Sequence, residues 1–146
     1  RNQVTYREAD KDFNRLNHFK VEEAGEKVAI LALGDFYQRG EQLSAKIKAE
    51  LGFTPTLINP RFASGIDKEL LESLSERHQM VITMEDGILS GGFGEKIASF
   101  YGSSDMKVKN YGLDKKFYDR YDPNELLKEV GMTPVQIIAD ICNQIK

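Results

Sequence analysis

The segment MVITMEDGILSGGFGEKIASFYG, Met80 to Gly102, decides how the rest of the chain is read. A compact apolar run ends in two acids, Glu85 and Asp86. Gly87, Gly91, Gly92 and Gly94 follow, and Phe93, Ile97, Phe100 and Tyr101 then recur at helical spacing. A buried strand, a glycine-rich loop and a helix form one βα unit of a parallel sheet. The same order can cradle phosphate when the glycines are correctly spaced.

They are not. A Walker loop needs GxxxxGK[ST], and Gly92 is followed by Phe93. The dinucleotide pattern GxGxxG has Ile97 where its third glycine belongs. The nucleophile elbow GxSxG fails because Ile88 stands two residues before Ser90. The structural reading is better motivated: Gly91, Gly92 and Gly94 let a helix start approach another backbone, or take up positive φ. Glu85 and Asp86 stand where a parallel strand meets its loop, the edge on which open α/β sheets place ligands. They could be catalytic carboxylates. With no partner carboxylate or histidine at fixed spacing, a cap or interface pair is the better reading.

The rest of the chain repeats the βα alternation. HFKVEEAGEKVAILALG gives a short strand, a turn at Gly25 and a second strand whose unbroken apolar run implies cover on both faces. Leu43, Ile47 and Leu51 mark a helix closed by Gly52. PTLINP is a strand between prolines, and Asp67 caps a helix carrying Leu70, Leu71 and Leu74. KVKNYG is a strand with weak signal. Asp122-Pro123 and Thr133-Pro134 open two final helices, each with Glu or Gln at the capping-box position. The expected fold is a single α/β domain, a mostly parallel sheet with helices on both sides. Residues 1–18 read as a linker from an upstream domain, and 19–146 as the domain itself.

Composition excludes several classes. The 146 residues carry 20 Lys and Arg against 23 Asp and Glu, a net charge of -3. No basic block serves a nucleic acid, and no apolar run is long enough to cross a bilayer, so a cytoplasmic location is expected. Two histidines and one cysteine leave little for a transition metal. Cys142 falls on the last helix's apolar stripe, as a buried core thiol would. Arg61, after the PTLINP strand, could contact an anion; a salt bridge to the next helix is the simpler expectation. A stand-alone module binding a small anion near Arg61 and Asp86 remains an alternative. Asp35 and Asn59 mimic the GDG…N signature that holds thiamine diphosphate, but Phe36 replaces the second glycine.

From Val21 to the C-terminus the chain resembles a known family. EKVAILALG and INPRFASGIDKELLESLSERHQMVITMEDGILSGGFGEKI look like the C-terminal domain of the transketolase superfamily, where E-D/E-G-x-x-x-G-G-F-G is a signature. The tail, YGLDKKFYDRYDPNELLKEVGMTPVQI, is similar to that of the 1-deoxy-D-xylulose-5-phosphate synthases and argues against transketolase or a pyruvate dehydrogenase β-subunit. The resemblance implies a three-layer α/β/α sandwich with one antiparallel strand. It implies a thiamine-diphosphate and Mg²⁺ enzyme that joins pyruvate to glyceraldehyde 3-phosphate for isoprenoid, thiamine and pyridoxal synthesis. In that family the cofactor lies in upstream domains of the same polypeptide, and the C-terminal domain supports a homodimer. On this chain alone, the resemblance implies no bound cofactor and no activity. Glu85, Asp86, Gly87, Gly91, Gly92, Phe93 and Gly94 then become structural or interface residues. The family's substrate-binding arginine has no counterpart in VTYREAD, where Thr5 stands, and DRYDPNE replaces the family's EHGS-like turn.

Overall fold

The computed structural model describes residues 8, 17–116, 118–119 and 122–145. The proposed linker, 1–18, therefore lies mostly outside the described residues, as does part of DRYDPNE. Strands β1 (Lys20–Glu23), β2 (Lys27–Ala32), β3 (Thr56–Asn59), β4 (His78–Ile88) and β5 (Lys107–Leu113) form one sheet in the order β1-β3-β2-β4-β5. All neighbours are parallel except β1 with β3.

Helices α1 (Tyr37–Leu51), α2 (Lys68–Leu74), α3 (Phe93–Tyr101), α4 (Pro123–Glu129) and α5 (Pro134–Gln144) make the outer layers. Strand β2 shows why its sequence is continuously apolar. Val28, Ile30 and Ala32 face one core with Leu43 and Ile47 of α1, Leu127 of α4 and Ile137 and Ile141 of α5. Ala29 and Leu31 face a second core with Leu71 of α2 and Ile97 and Tyr101 of α3. Alternate side chains of a strand point to opposite faces, so a strand buried twice has no polar position to spare.

The helix ends follow the expected chemistry. Gly52 ends α1 at φ 73°. Asp67 caps α2 through Leu70 N–H, Asp122 caps α4, and Thr133 with Gln136 closes a reciprocal capping box on α5. Two details differ from expectation. β1 and β2 are not neighbours: they flank β3, so their loop must step over the start of that strand. Gly25 permits the crossing, since a Cβ there would lie 2.0 Å from Thr54 O. Cys142 is exposed, because Ile141 closes the buried stripe and the next residue turns about 100° away.

Candidate functional site

The sheet has a switch point. After β2 the chain runs to α1 on one face, and after β4 it runs to α3 on the other, so the C-terminal ends of these adjacent strands open a crevice. A cleft of about 560 Å³ lies there, lined by Asp35 after β2 and by Glu85, Asp86, Gly91, Gly92 and Lys96. Arg61 does not line it. That residue holds a left-handed backbone, φ 66°, with its N–H donated to Asn59 Oδ1 at 3.1 Å.

Strand β4 runs past the MVITME stretch and bulges. From Met84 to Ile88 it takes four steps where its partner takes two, from Tyr111 to Leu113. The surplus residues re-aim Glu85. Its carboxylate is buried and accepts Phe93 N–H at 3.2 Å through Oε1 and Gly94 N–H at 2.6 Å through Oε2. Two of the free N–H groups at the start of α3, at the positive end of its dipole, are thus taken by the protein's own carboxylate. The anion-module reading loses its best position, and Asp35 and Asp86 add further negative charge beside it.

The glycines fit this internal closure. A Cβ at Gly92 would meet Glu85 Oε1 at 2.3 Å and Ile88 O at 2.7 Å. One at Gly94 would meet Thr83 Oγ1 at 2.6 Å and the Asn110 side chain at 2.7 Å. Gly91 takes φ 74° and donates its N–H to Glu95 Oε2 at 2.7 Å. Gly87 is not cramped: a Cβ there would find Glu85 Oε1 at 3.5 Å. Phe93 is buried and packs edge-on against Phe19 with ring centres 5.9 Å apart.

Two further contributors come from β5. Asn110 accepts the Thr83 hydroxyl at 2.7 Å. Gly112 sits opposite the bulge, where a Cβ would lie 2.9 Å from Gly87 O. A glycine inside a strand pattern is the one sequence signal that points to such a close approach.

The two residues of the thiamine-like signature stand at the ends of neighbouring strands, Asp35 after β2 and Asn59 at the close of β3. Asp35 is exposed in the 3₁₀ turn after β2, and Asn59 Oδ1 accepts Arg61 N–H. Among the described residues no group of three or more His, Cys, Asp and Glu is placed to hold a metal ion. No described helix is long and apolar enough to cross a membrane.

Comparison with known proteins agrees with this geometry. The profile described as "Transketolase, C-terminal domain" matches residues 17–137. A 1-deoxy-D-xylulose-5-phosphate synthase of Shouchella clausii is 33% identical over 132 residues, covering 89% of this chain and 21% of its own length. The corresponding enzyme of Clostridium perfringens is 38% identical over 115 residues, 77% of this chain and 18% of its own. The chain thus spans about a fifth of the length of the relatives it matches. Among solved structures, a split gene transketolase, an inactive β4 tetramer, superposes with a TM-score of 0.77 at 23% identity. That match covers 89% of this chain and 43% of the other. Transketolase from Campylobacter jejuni gives 0.58 at 18% identity, covering 88% and 19%. At these identities the structural matches speak for the fold alone.

Proposed function

The chain belongs to the transketolase C-terminal domain family, and from that premise we propose that it is the C-terminal domain of a 1-deoxy-D-xylulose-5-phosphate synthase. The whole enzyme would be a thiamine-diphosphate and Mg²⁺ transferase in the cytoplasm, joining pyruvate to glyceraldehyde 3-phosphate with loss of CO₂ for isoprenoid synthesis. The observation that carries this reading is the 33% identity over 89% of the chain but only 21% of the relative.

Cofactor and chemistry belong to the upstream domains, and this domain supports their arrangement and a homodimer. The domain boundary falls at residues 18–19. Topology supports an interface role for the segment from Glu85 to Gly94. Because β1 is antiparallel, with Lys20 opposite Asn59, the chain enters the sheet at the same edge that carries the cleft. Phe19, buried against Phe93, ties the entering chain to the first residue of α3. Upstream domains would therefore arrive beside the glycine loop.

The test is a chimera. Replacing the C-terminal domain of the Clostridium perfringens relative with residues 19–146 should give a dimer that releases CO₂ from pyruvate when glyceraldehyde 3-phosphate is added. This chain alone should neither turn over nor bind thiamine diphosphate with Mg²⁺ in a calorimeter. A folded chimera without activity, or saturable cofactor binding by the isolated chain, would overturn the reading.

A further inference from the structure

The edge of the sheet opposite the cleft carries a second closure, which the proposed function does not use. Where the β1–β2 loop crosses the start of β3, Gly25 N–H donates to Thr56 Oγ1 at 2.9 Å. Thr56 Oγ1 lies 2.7 Å from His78 Nε2, and His78 Nδ1 lies 2.9 Å from the Leu74 carbonyl. A carbonyl can only accept, so Nδ1 bears the ring proton. A neutral ring then has a bare Nε2, which accepts the Thr56 hydroxyl. Donation runs one way, from Gly25 through Thr56 and His78 to Leu74.

The held loop is strained. Lys27, the first residue of β2 where the loop ends, has φ 66° outside glycine chemistry. Backbone bonds from Glu26 N–H to Thr54 O and from Lys27 N–H to Arg77 O also fasten it. The charges around the ring are Arg77 ahead of β4, Glu26 in the loop and Lys27, which pairs with His78 in the ladder. Thr56 and Leu74, the groups presented by β3 and α2, are uncharged.

We propose that the Gly25–Thr56–His78–Leu74 chain is an acid-released latch on edge strand β1. A proton on His78 Nε2 makes that atom a donor facing the Thr56 hydroxyl. Oγ1 has a lone pair each for the ring and for Gly25 N–H, but the hydroxyl's own proton loses its acceptor and must turn elsewhere. Thr56 is 3% exposed, so water cannot readily take the displaced proton's bond. The loop slackens, and β1, four residues long and held along one side by β3, loosens with it. Partial burial lowers the ring's pKa from the ordinary 6.5; the Leu74 bond opposes this, Arg77 adds to it and Glu26 opposes it.

Nuclear magnetic resonance of the ¹⁵N-labelled chain between pH 8 and 5 tests the latch. The Gly25 amide should titrate with the His78 ring at one midpoint below 6.5. Across it, the protection of Gly25 against hydrogen exchange should fall about tenfold relative to Ile97 in α3. His78→Gln should remove the pH dependence at Gly25; if that variant does not fold, the wild-type titration decides alone. A Gly25 signal that stays flat while His78 titrates overturns the latch. So does a loss of protection at Ile97 in step with Gly25, which would be global unfolding.

Discussion

The two ends of the sheet solve the same problem with different chemistry. At each, the backbone passes so close to neighbouring groups that only glycine fits, Gly92 and Gly94 at the start of α3 at one edge and Gly25 in a loop at the other. At each, one side chain then joins what the crossing brings together. At the C-terminal edge it is the Glu85 carboxylate, which satisfies two N–H groups of a helix start. At the N-terminal edge it is a neutral imidazole, whose bonds depend on one tautomer. A carboxylate capping N–H donors only accepts. The imidazole must donate at one nitrogen and accept at the other, so a single proton is enough to upset it.

The largest effect that could break this comparison is steric. Gly25→Ala puts a methyl against the backbone oxygen of Thr54 and the carbonyl of Pro55, which cannot rotate away. It should cost about 3 kcal/mol or more, read as a lower urea midpoint. An unchanged midpoint would mean that the crossing is looser than its geometry.

Glu85→Ala comes next, at about 2–3 kcal/mol, because it leaves two buried N–H groups unpaired. A double-mutant cycle sharpens the point. Gly92→Ala should cost less in the Glu85→Ala background than in the wild type, since its nearest clash, at 2.3 Å, is with the Glu85 carboxylate. Strict additivity would separate the glycine from the acid. Away from both edges, Thr133→Ala should cost about 1 kcal/mol by removing the α5 cap.

The smallest effect is in pH. The pKa of His78 is lower in the folded chain than the 6.5 of an unfolded one. The unfolded state therefore takes up the proton first as pH falls. Stability is full above 6.5 and declines as pH drops from there toward the folded value. His78→Gln should flatten the dependence of the melting temperature on pH in that window; a parallel slope in both proteins would assign the loss to other groups.

Much of the fold was legible because its signals are local. The both-faces burial of β2, the left-handed Gly52 and the Asp67, Asp122 and Thr133 caps are each readable within a few residues. The site was half legible. Glycines between a strand and a helix announce a close approach, but nothing local says what approaches. The partners of Glu85 lie eight and nine residues on, and a bulge in β4 directs the carboxylate to them. Asn110 and Gly112 reach the loop only through the pairing of β5 with β4, a non-local event. The placing of β1 beyond β3 is of the same kind: an EEAGEK turn looks alike whether its strands pair or straddle a third.

The antiparallel β1 also fixes how the domain would bear mechanical load. Tension applied through residues N-terminal to His18 falls first on Phe19, whose ring is wedged between Phe62 and Phe93 and whose N–H is gripped by Asp67 at 2.9 Å. Beyond that anchor the pull would open the ladder one bond at a time, starting from Lys20 opposite Asn59, as a zipper parts. The four parallel strands behind it would feel little until β1 had gone. Drawn by its leading end, the domain would shed an edge and keep both its cores.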